Sequence, residues 1–146
     1  MSYVHVQRLA PVTDEHNAAR ASVSYVERVW HRVASEPEMH GLTRAHIRMG
    51  ARGLESAYVV RLFSEFEVIL QDHLAARYPG RPIPRTAEAL VNRVALRERI
   101  PDAIRSAAQD VREYRNAIVH RRTAAGAALD FREAAAALNR YLARLP

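Results

Sequence analysis

The chain contains no cysteine and no lysine. The first absence excludes a disulfide framework, thiolate metal sites and a cysteine nucleophile, and it suits a reducing cytoplasm. The second means that all 22 basic residues, set against 16 acidic ones, are arginine. A GC-rich gene would produce such a bias, together with the abundant alanine. Arginine is also the side chain that grips phosphate with two parallel hydrogen bonds. No run of basic residues concentrates the net charge of +6, so charge alone argues only weakly for a nucleic-acid partner. No stretch approaches the ~20 apolar residues of a membrane span, and the opening Met1-Ser-Tyr-Val-His-Val-Gln-Arg8 lacks the apolar core of a signal peptide. A soluble protein with no membrane partner is expected. Strand signals are missing as well, because no alternating run rich in β-branched and aromatic residues occurs.

What is present is helical spacing within the length of a single domain. About half of the 146 residues are apolar, enough for a core. Residues 1–12 read as an extended arm and 13–146 as one helical domain. A first helix is expected from Thr13-Asp14, burying Ala19, Val23, Val26, Trp30 and Val33 at steps of three and four. A short helix over 42–50 should be interrupted by Gly50 and Gly53. A long one from 54 to 78 then buries Tyr58, Leu62, Phe63, Phe66, Ile69, Leu70 and Leu74.

Pro79–Pro84 is the clearest loop. Thr86 caps a helix with Leu90, Val91 and Val94 inward, and Pro101 opens the next, with Ile104, Ala108, Val111, Ile118 and Val119 inward. That helix should end within Arg121–Gly126. Asp130-x-x-Glu133 forms a capping box for a last helix carrying Ala134, Leu138, Tyr141, Leu142 and Leu145. The predicted fold class is all-α, a bundle of four to five main helices.

Chemistry concentrates in Glu113-Tyr-Arg-Asn-Ala-Ile-Val-His-Arg-Arg122. Arg115 and His120 form a suitable pair for cleaving RNA without a metal. The RNA's own 2′-hydroxyl attacks the neighbouring phosphate, so the protein has only to move protons and stabilise charge. Histidine titrates near neutrality and serves as base or acid. Arginine holds the non-bridging oxygens as negative charge builds. Asn116 either bonds the phosphate or orients the imidazole. Asn116 and His120 share a helix face that Arg112 extends by a turn, whereas Arg115 lies ~140° round from His120. The two meet only if the arginine reaches along the surface, if the helix unwinds near His120, or if a second copy contributes. Arg121 and Arg122 follow as candidate substrate-binding residues. Glu67, between Phe63 and Leu70 on an apolar face, either pairs with Arg115 or Arg112 across the bundle or keeps its head in water.

The run Arg115-Asn116-Ala-Ile-Val-His120 resembles the Arg-polar-x-x-x-His hallmark of HEPN domains. Its setting is similar too: late in the chain, before an Ala/Leu-rich final helix, with Phe66-Glu67 on an earlier long helix. The resemblance covers residues 13–146, and only the six-residue motif is specific. It implies a HEPN-like bundle, a homodimer whose two motifs face one RNA-cutting cleft, and a toxin or antiviral defence role. An antitoxin or a nucleotidyltransferase-like protein would then be a partner. Some members are inactive binding modules. One branch carries a tyrosine two residues after the histidine as a modification point; here Arg122 stands there, which puts that regulation in doubt.

No cofactor or metal is expected. His31, His40, His46 and His73 match no common ligand spacing and read as scattered surface residues. Gly50-Ala-Arg-Gly53 lacks the strand and lysine of a phosphate loop, and no serine has a nucleophile's context.

Overall fold

A computed structural model of the chain describes residues 3–120 and 129–146. Among them every regular element is helical. In chain order these are α1 (Tyr3–Gln7), α2 (Ala10–Arg28), α3 (Trp30–Val33), a 3-10 turn (Pro37–Met39), α4 (Arg44–Arg77), α5 (Ala87–Arg97), α6 (Asp102–Val119) and α7 (Phe131–Leu142). Five of them, α2 and α4–α7, make the expected all-α bundle. The 34-residue α4 is its spine, packed on α2, α5, α6 and α7.

The core forms where apolar stripes converge. Val59, Leu62, Phe63, Phe66, Ile69 and Leu70 of α4 are fully enclosed by Leu90, Val91 and Val94 of α5, Ala108 and Val111 of α6, and Leu138, Tyr141 and Leu142 of α7. Each large side chain so removed from water contributes about 1.5–3 kcal/mol. The Tyr141 hydroxyl, enclosed with them, donates to the Val91 carbonyl at 2.6 Å. Burial pushes its pKa well above the usual phenol value. Thr86 accepts from the Ala89 N–H, and Asp130 and Glu133 close a reciprocal capping box at 2.8 and 3.0 Å.

Four expectations need correction. The N-terminal arm is helical: Val6, Leu9, Val12 and His16 step by three and four into one buried stripe, and Pro11 sits in the first turn of α2, where a missing N–H costs nothing. Gly50 and Gly53 do not interrupt anything, since α4 runs through both. Each costs its helix about 1 kcal/mol against alanine. A Thr43–His46 capping box and the Arg48–Glu27 and Arg61–Glu15 ion pairs with α2 hold the helix regardless.

Thirdly, Ala19, Val23, Val26, Trp30 and Val33 are only half-buried. Helices α2 and α4 run antiparallel, as Arg8–Asp72, His16–Glu55 and Glu27–Arg48 show. Their distal halves project beyond α5–α7 as a two-helix arm, and among the described residues no third helix layer covers it. Finally, Val119 is exposed, because the helix leaves the core one residue after Ile118. No described helix is long and apolar enough to cross a membrane.

Candidate functional site

Helix α6 presents Ile104, Ala107, Ala108, Val111, Tyr114 and Ile118 to the core, and Arg115 rides the edge of that stripe beside α4. Its Nη2 donates to Glu67 Oε2 at 2.7 Å and its Nη1 to Asn116 Oδ1 at 2.9 Å. The guanidinium lies 5.3 Å from the centroid of Phe63, one turn before Glu67 on the same face of α4. The pair is mostly enclosed, with side-chain exposures of 23% and 20%. Arg115 Nε is buried and has no partner among the described residues. The sequence left three fates open for Glu67, and the structure pairs it with Arg115.

Arg112 is drawn the other way. Its Nε donates to Gln109 Oε1 at 2.5 Å, and its Nη2 lies 3.3 Å from Glu113 and 3.9 Å from Glu88 of α5. Gln109 in turn donates to Asn92 Oδ1 and to the Glu88 carbonyl, so this group clamps α5 to α6. Arg112 therefore stands on the motif helix without joining Glu67.

The regular helix stops at Val119 and His120 is its cap, with φ −92° and ψ 6°. The His120 N–H still bonds to the Asn116 carbonyl at 2.9 Å. Its imidazole is exposed and makes no hydrogen bond, ion pair or ring contact among the described residues. The structure thus brings Arg115, Asn116 and Glu67 together and leaves His120 apart at the helix end. Arg121 and Arg122 lie outside the described residues.

Two polar clusters escaped the sequence reading. His16, almost wholly enclosed, bonds through Nε2 to Glu55 Oε1 at 2.9 Å, stacks on Phe131 at 3.8 Å and meets Tyr58 edge-on. Glu55 also accepts from Arg20 and from the Phe131 N–H at the start of α7. His73 is not a surface histidine: its Nε2 bonds to the enclosed Glu98 at 2.9 Å, which also accepts from Tyr78 and lies 3.4 Å from Arg77. His5 packs edge-on against His73, and both line a cavity of about 380 Å³. Helix spacing was the available signal, since His16 falls four residues after Val12 and His73 three after Leu70. Among the described residues no three His, Asp or Glu side chains gather as a metal-binding set.

These contacts also orient the bundle. Glu98, just before α6, lies at the His73 level of α4, Arg115 at the Glu67 level, and the start of α7 at Glu55. The motif therefore points toward the end from which the α2/α4 arm projects. Comparison of the chain with family models, with characterised proteins and with solved structures finds no match in any of the three.

Proposed function

We propose that the chain is a metal-independent endoribonuclease of the HEPN type, acting as a cytoplasmic toxin or antiviral defence effector. The observation that carries this reading is the division of labour on α6. Arg115 is held by Glu67 and Asn116, while His120 is exposed at the helix end, where the regular turn has already stopped. A fixed cation and an exposed imidazole are the two groups that phosphodiester transesterification requires.

In the proposed reaction the 2′-oxygen attacks phosphorus and the bond to the 5′-oxygen breaks, leaving a cyclic 2′,3′-phosphate and a 5′-hydroxyl. One histidine takes the 2′-hydroxyl proton and another returns a proton to the leaving oxygen. Arg115 stabilises the charge on the non-bridging oxygens. Because one chain holds a single motif histidine, a homodimer with both motifs on one cleft supplies the pair. An antitoxin or a nucleotidyltransferase-like protein would restrain such an enzyme.

A second reading is favoured by the same contacts. With both Nη groups of Arg115 engaged, the motif also serves as a tie between α4 and α6 in a catalytically silent module that binds RNA or a protein. Incubation of a mixed RNA with purified protein in excess chelator decides between them. The enzyme cleaves under those conditions and slows by at least ~10²-fold as His120→Ala. Intact RNA with a folded wild-type chain selects the silent module, and activity that disappears with chelator removes the mechanism.

A further inference from the structure

The projecting α2/α4 arm is more basic than the rest of the chain. Residues 20–54 hold six arginines against three glutamates, half of the net charge of +6 in about a quarter of the length. Arg44, Arg48 and Arg52 follow one another at four-residue steps, a single stripe about 6 Å per step along α4. Arg44 reaches the Glu27 carbonyl at 3.4 Å and Arg48 the Glu27 carboxylate at 2.9 Å, which ties the stripe to the last turn of α2, where Arg28 ends the helix and Arg32 follows in α3. All five are exposed.

Glu27 is the one carboxylate that pairs with any of these five among the described residues; Glu36 and Glu38 pair with none of them. Arg28 instead lies 5.7 Å from the ring centroid of Tyr25, itself 56% exposed. Uncompensated guanidinium groups interleaved with an exposed aromatic fit a single-stranded polynucleotide, whose phosphates pair with the cations and whose bases stack. The arm's position fits as well. Along α4, Arg52 lies about 22 Å and Arg44 about 34 Å from Glu67, the anchor of Arg115, on the side toward which the motif helix ends.

We infer that this arm is a docking rail for single-stranded RNA, holding the strand several nucleotides away from the bond at the Arg115–His120 end. The inference deepens the ribonuclease reading and takes from it the identity of the polyanion. The arm acts on binding rather than on chemistry.

The test is direct binding to a fully 2′-O-methylated RNA of about 20 nucleotides, which lacks the attacking hydroxyl and so binds without being cut. The chain with Arg28, Arg32 and Arg52 each changed to Gln loses three charges and no ion pair. Each lost phosphate contact should lower the slope of log affinity against log salt by about 0.7, or about 2 in all. The loss of affinity between about 50 and about 200 mM salt then shrinks by about 20-fold. A control with Arg81, Arg85 and Arg93 changed to Gln removes equal charge at the far end of α4 and should keep the wild-type slope.

Equal slopes for the arm variant and wild type overturn the rail, as does an equal drop in the control or an absence of RNA binding. Cleavage of ordinary RNA is scored separately. A slope change without cleavage keeps the rail and removes the enzyme, and cleavage without a slope change does the reverse.

Discussion

Arg115 on α6 and Glu67 on α4 meet at 2.7 Å across the bundle, over the face of Phe63. The contact joins two helices through a charge-assisted hydrogen bond that is mostly shielded from water, which makes it stronger than a surface pair. Removing either partner leaves the other charge mostly enclosed without its counter-charge. Glu67→Gln and Arg115→Ala should each destabilise the fold by about 1–3 kcal/mol, and the double variant should fall short of the sum by about 0.5–3 kcal/mol. Urea unfolding of the four proteins measures this coupling. Strict additivity would show that the pair does not hold the guanidinium in place.

The two glycines of α4 make a cleaner case. A Cβ built at Gly50 or Gly53 meets nothing within 4 Å, and neither residue has a positive φ. Alanine there reduces the freedom of the unfolded chain without a clash. Each of Gly50→Ala and Gly53→Ala should stabilise by about 0.5–1 kcal/mol, raising Tm by about 1–4 °C. Unchanged or lowered melting would mean that the arm part of α4 is not helical in solution.

Those glycines also show where sequence reasoning stopped. Read as breakers, they divided α4, because local propensity carries no knowledge of the ion pairs that bind the helix to α2. The inner face of α4 from Tyr58 to Leu74, the Thr86 cap and the Asp130–Glu133 box were all legible, since each depends on residues within one or two turns. Trp30 was misplaced for the opposite reason. Its spacing marks an apolar stripe, but whether a third helix covers that stripe is a property of the whole bundle. Within the site, the spacing of Asn116 and His120 was readable. The choice of Glu67 by Arg115, and the contacts of Gln109 and Arg112 with Glu88 and Asn92 of α5, depend on how α5 and α6 flank one another and α4, which no local pattern encodes.

His5 supplies a pH dependence. Burial, helped by the neighbouring His73 and Arg8, lowers its pKa below the ordinary 6.5. The unfolded chain therefore binds a proton more readily than the folded one just below pH 6.5, and stability falls as the pH drops through that window toward the depressed folded value. His5→Gln should flatten this part of the curve while leaving the steeper carboxylate-driven loss at lower pH. That acid limb includes Glu15, whose pKa is held below the usual carboxylate value by the Arg61 hydrogen bond, so that its contribution to stability is lost as the pH falls through that depressed value. Thermal melts between about pH 5 and 7.5 on both proteins are the check. Parallel curves would show that His5 does not titrate differently on folding.

The proposed composite cleft is tested by mixing. On one helix Arg115 and His120 stand ~140° apart, and Arg115 is tied inward to Glu67 while His120 is exposed at the cap. A single chain thus offers one motif imidazole, whereas the reaction needs a proton acceptor and a proton donor. A two-fold axis near the His120 end would place two imidazoles and two guanidinium groups on the same strand. Because His120 is exposed and among the described residues bonds only through its backbone, His120→Ala should leave stability within about 0.5 kcal/mol of wild type. Inactive chains would then compete for wild-type partners without unfolding them. At constant total protein, wild type mixed with a growing fraction of His120→Ala, after time for exchange, should lose activity as the square of the wild-type fraction if both histidines are required. A linear loss, or full activity in a species that light scattering shows to be monomeric, would sink the shared cleft and leave each chain to act alone.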